Sequence, residues 1–223
     1  MVVAAGRGAR AGGEVPKQYR PIAGVPMVIR ALRPFTSHPA VAQVVLVLPP
    51  ADAEHPPGFI QEIAGGPLVL VAGGAERRDS VAAGLAALAP ECAVVLVHDA
   101  ARPFVPRDVI DAVIAAARQG EGAVPAVPLS DTVKETTAGD DTRVERTIPR
   151  DRLWRVQTPQ GFPRQMISRA HARAAEAAPA PDDAALVEAT GGAVRLVPGS
   201  AVNLKITTRD DFVLAELLAA SLP

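Results

Sequence analysis

Val2-Val3-Ala4-Ala5-Gly6-Arg7-Gly8-Ala9-Arg10-Ala11-Gly12-Gly13-Glu14-Val15-Pro16-Lys17-Gln18-Tyr19 lies near the start of the chain. A short β-branched run passes directly into a loop with glycines at 6, 8, 12 and 13. Those positions let a ligand approach the backbone and let N–H groups turn toward an anion. Arg7, Arg10, Lys17 and Arg20 are opposed only by Glu14, a local surplus of three positive charges. A glycine-rich loop with fixed cations after a strand suits polyphosphate, which points to an α/β nucleotide-binding fold. A P-loop is excluded, because the Gly-Lys pair it requires is absent. Gly6-Arg7-Gly8-Ala9-Arg10-Ala11 does satisfy the dinucleotide fingerprint. That reading also needs a helix at once and an acid about twenty residues on. Pro16 and Gly24-Val25-Pro26 delay the helix, and no Asp or Glu stands between Glu14 and Asp52, which argues against hydride transfer. The bland alternative is a glycine-rich loop with solvated arginines.

Outward from this stretch, apolar runs recur at Val44-Val45-Leu46-Val47-Leu48, Leu68-Val69-Leu70-Val71 and Val94-Val95-Leu96-Val97. Ala123-Val124-Pro125-Ala126-Val127 is weaker, and Val194-Arg195-Leu196-Val197 comes late. Nearly continuous apolar runs are expected of parallel strands covered on both faces. Between them, Met27, Val28, Ala31, Leu32 and Phe35 share a helical face, as do Val81, Leu85 and Leu88, and Val109, Ile110, Val113, Ile114 and Ala117. Thr208-Arg209-Asp210-Asp211 reads as a capping box before an apolar run from Phe212 to Leu218. The alternation predicts a doubly wound, mostly parallel α/β sheet over residues 1–223, with ligands at the carboxyl ends of its strands. From Ser130 to Pro149 the chain is polar, with Gly139-Asp140-Asp141 between Thr- and Val-bearing flanks. This reads as a protruding β-hairpin, or arm, over about 130–150. An isolated hairpin is marginal in water, so it is expected to pack on a second subunit. The alternative is a solvated surface loop.

Composition narrows the classes further. The 223 residues are 48% hydrophobic and 21% charged, enough to build a packed core. The net charge of −1 supplies no overall field for nucleic acid or membrane, and seven aromatic residues make a poor base-stacking platform. No apolar run approaches the roughly 18–20 residues of a membrane span, and no secretory leader is evident. Cys92 is the lone cysteine, which excludes an intrachain disulfide and suits a reducing cytoplasm. Twenty arginines accompany only three lysines, Lys17, Lys134 and Lys205, so each lysine stands out.

Two further segments sit where ligands are expected. Gly73-Gly74-Ala75-Glu76-Arg77-Arg78-Asp79-Ser80-Val81 opens a turn before a helix, with Ser80 either the helix cap or a ligand contact. His98-Asp99-Ala100-Ala101-Arg102-Pro103 follows a strongly apolar strand, and an acid there can hold Mg²⁺ against phosphate oxygens. A hydrolase triad of Ser80, His98 and Asp99 is rejected, since no G-x-S-x-G elbow surrounds the serine. The four histidines show no zinc spacing.

With these motifs in order, the chain resembles the 2-C-methyl-D-erythritol 4-phosphate cytidylyltransferase family. The likeness is carried by Ala4-Ala5-Gly6-x-Gly8-x-Arg10, Pro16-Lys17-Gln18-Tyr19, Gly73-Gly74-x-x-Arg77-x-Asp79-Ser80-Val81 and His98-Asp99-Ala100-Ala101-Arg102-Pro103. Asp131-Thr132, Thr158-Pro159-Gln160 and Asn203-Leu204-Lys205-Ile206-Thr207 extend it along nearly the whole chain. The resemblance implies a Rossmann-like homodimeric transferase of the non-mevalonate isoprenoid pathway, moving CMP from CTP to 2-C-methyl-D-erythritol 4-phosphate and releasing pyrophosphate, with Mg²⁺ or another divalent cation. Arg10 and Lys17 would be catalytic. Ala4, Ala5, Gly6, Gly8, Gly74, Ser80 and Asp99 would meet the nucleotide, Asp99 also the metal. Arg102, Thr132, Arg150, Thr158 and Lys205 would meet the acceptor, Thr132 and Arg150 reaching the partner subunit's site through the arm. Val3 stands where the family often has Pro, and Pro181 where it often has Thr. Two rivals remain open: a cytidylyltransferase for ribitol 5-phosphate or another polyol phosphate, and a catalytically silent nucleotide-binding regulator.

Overall fold

The computed structural model describes residues 1–6, 15–61, 63, 68–173 and 180–221. After β1 (Val2–Val3) and a 3-10 turn at Lys17–Tyr19, β2 (Pro21–Ile22) and β3 (Val25–Pro26) form a tight hairpin. Its turn residues Ala23 and Gly24 have φ of 45° and 73°, the two positive values of a type I′ turn. The alternation then runs α1 (Met27–Thr36), β4 (Val44–Leu48), α2 (Pro50–Glu54), α3 (Gly58–Gln61), β5 (Leu68–Ala72), α4 (Arg77–Ala86) and β6 (Val94–Asp99). α5 (Arg107–Arg118) and β7 (Gly122–Pro128) follow, then β8 (Val133–Thr137), β9 (Asp140–Ile148), β10 (Trp154–Val156) and β11 (Gln160–Pro163). α6 (Arg164–Arg173), α7 (Asp183–Ala189), β12 (Val194–Pro198) and α8 (Arg209–Ser221) complete it. No helix among the described residues is long and apolar enough to cross a membrane.

The main sheet has the order β10-β7-β11-β6-β1-β4-β5, with β12 also paired to β7. β1 lies parallel between β4 and β6, so Val2 faces Leu46 on one side and His98 on the other. The pleat sends alternate residues of β4 to opposite cores. Val44, Leu46 and Leu48 pack with Val28, Leu32, Ile110 and Ile114 from α1 and α5. Val45 and Val47 pack with Val81, Leu85, Ile167 and Val187 from α4, α6 and α7. Both faces are therefore covered, which is why such strands read as unbroken apolar runs. The expected doubly wound, mostly parallel fold is present.

Two strands of the main sheet escaped the sequence pattern, as did the short hairpin strands β2 and β3. β11, Gln160-Gly161-Phe162-Pro163, runs antiparallel between β6 and β7, and β10 continues antiparallel along the same edge of β7, whose other edge is taken by β12. β11 survives as an inner strand because its side chains are small or buried. A Cβ on Gly161 would lie 2.4 Å from Val113 Cγ1, so α5 packs directly on the strand's backbone. α4 begins at Arg77, ahead of its apolar stripe, because Glu76 and Asp79 form a reciprocal capping box. The box read at Thr208 and Asp211 is also reciprocal: the Thr208 N–H donates to Asp211 Oδ2 at 2.7 Å and the Asp211 N–H to Thr208 Oγ1 at 3.3 Å. β8 and β9 pair with each other, Val133 opposite Ile148 at the open end, and their side chains are mostly exposed. The turn falls at Ala138-Gly139, one position earlier than Gly139-Asp140-Asp141, with Gly139 at φ 84°.

Candidate active-site cleft

Strand order reverses around β1, since the chain builds β4 and β5 on one side and β6 on the other. A crevice therefore opens at the carboxyl ends of β1 and β6, flanked by Ala4, Ala5 and Gly6 on one strand and Asp99 on the other. The cleft there holds about 200 Å³ and is lined by Ala4, Ala5, Gly6, Lys17, Ser80, Asp99 and Lys205, all read as site residues from the sequence. A larger cavity of about 300 Å³ lies around Phe35, Val44, Leu88 and Cys92, with Glu91 and Arg118 as its charged residues. Its walls lack a cluster of converging cations, so the strand-end cleft is the candidate site. Gly8 and Arg10 lie outside the described residues.

Charge is concentrated on one side of the cleft. Lys17 Nζ donates to the Ile206 carbonyl at 2.9 Å, which sets it beside Lys205. Lys205 Nζ donates to Asp99 Oδ2 at 2.7 Å, and Arg77 Nε to Asp99 Oδ1 at 3.3 Å. Burial alone would raise the Asp99 carboxyl, but Arg77 and Lys205 outweigh it and hold the group well below the usual carboxylate range. The metal reading of Asp99 meets a poor fit in this arrangement. Both of its oxygens are held by cations, and among the described residues no three His, Cys, Asp or Glu come together in a metal-binding group. Asp99 does not fit the role of a resident metal ligand.

The second motif builds the wall facing Ala5. Ser80 is not the helix cap; Glu76 is. Ser80 lies inside α4, where its Oγ donates to the Glu76 carbonyl at 3.1 Å and accepts from the Gly74 N–H at 3.2 Å. Gly74 is thereby fixed, its N–H engaged by the Ser80 hydroxyl. A Cβ there would lie 2.3 Å from Asp79 Cβ, so the turn tolerates no side chain.

Behind Asp99 lies a buried polar circuit. His98 Nε2–H donates to the Arg102 carbonyl at 2.9 Å, so Nδ1 is an acceptor and takes the Thr158 hydroxyl proton at 3.0 Å. Thr158 Oγ1 in turn accepts from the Asp99 N–H at 3.1 Å. Asn203 Nδ2 donates to the Thr158 carbonyl at 2.9 Å and to Gln157 Oε1 at 3.2 Å. Arg102 donates to the carbonyls of Asn203 at 2.7 Å and Val156 at 3.3 Å. Thr158 and Arg102, both read as acceptor contacts, thus brace the loops behind the cleft. Thr132 and Arg150 are exposed at the base of the β8–β9 hairpin and do not line this cleft. Arg77, Gln157 and Asn203 were not singled out from sequence, although Arg77 and Asn203 stand inside motifs that carry the family resemblance.

Burial pushes His98 down to about 4 from 6.5. Between those values the unfolded chain binds a proton that the folded chain refuses. The stability owed to a neutral His98 is therefore complete above pH 6.5 and lost as pH falls toward 4, on the order of 3 kcal/mol. Melting temperatures measured from pH 7 to pH 4.5 are expected to fall. His98→Gln, less stable throughout, should show a shallower fall; equal slopes would remove His98 as the cause.

A family model described as 2-C-methyl-D-erythritol 4-phosphate cytidylyltransferase matches residues 1–221. The chain is similar to a protein of that name from Frankia casuarinae, 47% identical over 221 residues, covering 99% of this chain and 80% of the relative. A Streptomyces coelicolor protein of the same name is 46% identical over 228 residues, covering 99% and 84%. Among solved structures, the 2-C-methyl-D-erythritol 4-phosphate cytidylyltransferase of Thermus thermophilus superposes with a TM-score of 0.82 at 36% identity, covering 98% and 97% of the two chains.

Proposed function

The chain belongs to the 2-C-methyl-D-erythritol 4-phosphate cytidylyltransferase family, and from that premise we propose how its cleft transfers CMP from CTP to the 4-phosphate of methylerythritol. An acceptor phosphate oxygen attacks the α-phosphorus in line. The new O–P bond forms as the bond to the β-phosphate bridging oxygen breaks, and pyrophosphate leaves. No covalent enzyme intermediate is required, so catalysis rests on positioning and charge stabilisation. The observation that carries this reading is the convergence of Lys17, Lys205, Arg77 and Asp99 at the carboxyl ends of β1 and β6.

In this scheme Lys17 and Arg10 stabilise charge on the transferring phosphoryl group. Ala4, Ala5, Gly6, Gly8, Gly74 and Ser80 hold the nucleotide, and Asp99 meets its ribose. Lys205 binds the acceptor phosphate, with Arg102 and Thr158 shaping that wall. Magnesium enters on the triphosphate as part of the nucleotide substrate. Asp99→Asn is then expected to raise the KM for CTP at least about 10-fold, the scale of a lost charged hydrogen bond, yet leave the midpoint of a Mg²⁺ titration unmoved. A shifted midpoint would return the metal to Asp99.

A homodimer completes the proposal, with the hairpin near residues 130–150 embracing the partner so that Thr132 and Arg150 reach its site. Support comes from a hairpin paired only with itself among the described residues and from exposed Val144, Trp154, Val156 and Leu196. A cytoplasmic location belongs to the same reading and is supported by the lone Cys92. The decisive experiment mixes the protein with CTP, Mg²⁺ and either methylerythritol 4-phosphate or ribitol 5-phosphate. Pyrophosphate release with the first alone is expected. Release only with ribitol 5-phosphate reassigns the acceptor, and none with either leaves a silent binder.

A further inference from the structure

We infer that Arg77 is a positioning residue: anchored by a buried Asp183–His171 pair, it neutralises one oxygen of Asp99 and so keeps Lys205, on the other oxygen, available to a phosphate. The inference rests on reading Lys205 as an acceptor contact. Arg77 lines the cleft and sends Nε to Asp99 Oδ1 at 3.3 Å and Nη1 to Asp183 Oδ2 at 2.8 Å. A guanidinium can serve two acids at fixed geometry, which a lysine cannot.

Its anchor is rigid. His171 Nε2 donates to Asp183 Oδ1 at 3.0 Å, with side-chain exposures of 4% and 1%. The residue before Asp183 caps α7, Asp182 Oδ1 accepting from the Ala185 N–H at 2.9 Å. Gln160 then ties that helix start to β11, donating to Asp182 Oδ2 at 2.7 Å and accepting from the Ala184 N–H at 3.0 Å. A carboxylate as buried as Asp183 persists only beside a cation. Arg77 is that cation, and the capping box at Glu76 and Asp79 fixes where its side chain departs. The formal charges of Asp99, Asp183, Arg77 and Lys205 cancel. Without Arg77, two carboxylates confront Lys205 alone, and an incoming phosphate meets an excess of negative charge.

Arg77→Gln is expected to raise the acceptor KM about 10-fold or more, with kcat changed less than about 3-fold, while Arg77→Lys gives a smaller rise. Adding Asp99→Asn to Arg77→Gln should bring the acceptor KM back down, relief that a packing defect would not show. If Arg77→Gln does not fold, Asp183→Asn serves instead. It frees Arg77 to close on Asp99, and the acceptor KM should hold or fall. An acceptor KM within twofold of wild type in Arg77→Gln, no relief in the double variant, or a rise in Asp183→Asn overturns the proposal. Lys205→Gln is the control for the underlying reading. If it leaves the acceptor KM unchanged, the acceptor placement fails; if it raises the KM while Arg77→Gln does not, only the role of Arg77 fails.

Discussion

Lys17→Ala is expected to lower kcat at least about 100-fold with little change in melting temperature, the scale of losing one preorganised transition-state donor. The side chain leaves a short, well-held turn. The Tyr19 N–H donates to the Pro16 carbonyl at 2.9 Å, the Tyr19 hydroxyl to Asp52 at 2.6 Å, and Gln18 is buried between them. Nζ is further located by the Ile206 carbonyl at 2.9 Å. An ammonium held in this way needs no reorganisation when charge builds on phosphorus, so its removal falls on turnover more than on binding. Single-turnover rates with saturating CTP and acceptor measure it. A rate within threefold of wild type would take Lys17 out of the mechanism. Arg10→Ala is expected to act in the same direction.

The second large effect is steric. Gly73→Ala is expected to raise the KM for CTP about 10-fold or more and to destabilise the fold by about 1–3 kcal/mol, the range for overpacking. Gly73 stands where β5 leaves the sheet, its N–H donating to the Leu48 carbonyl at 2.7 Å. A Cβ there would lie 2.5 Å from Ala5 Cβ, 2.8 Å from Ser80 Oγ and 3.2 Å from the Leu48 carbonyl oxygen. Ala5 and Ser80 are the groups proposed to flank the nucleotide, and the added methyl pushes them apart. Parallel measurements of nucleotide affinity and denaturant midpoint separate the two components. Unchanged CTP affinity in a destabilised protein would show that this wall does not meet the nucleotide.

Legibility followed physical range. β4 was visible residue for residue because both of its faces are buried, and a short unbroken β-branched run suits little besides a strand covered on both sides. Asp99 was visible because strand-end acids in such sheets have a known place to point. β11 was not, because Gln160, Gly161 and Pro163 hold a strand through tertiary packing rather than propensity. Nor could spacing reveal that Arg77 meets Asp183, more than a hundred residues later, or that the Thr158 hydroxyl turns inward to His98. Both are contacts between segments far apart in sequence, whose meeting is decided only by the finished sheet.

The bond from Lys17 to the Ile206 carbonyl joins residues from nearly opposite ends of the sequence. A nascent chain released before about residue 203 would carry the glycine-rich loop and most of the sheet, yet neither Lys205 nor the carbonyl that steadies Lys17. On the roles proposed for Lys17 and Lys205, turnover regained in a refolding experiment is expected only once the segment between β12 and α8 has docked.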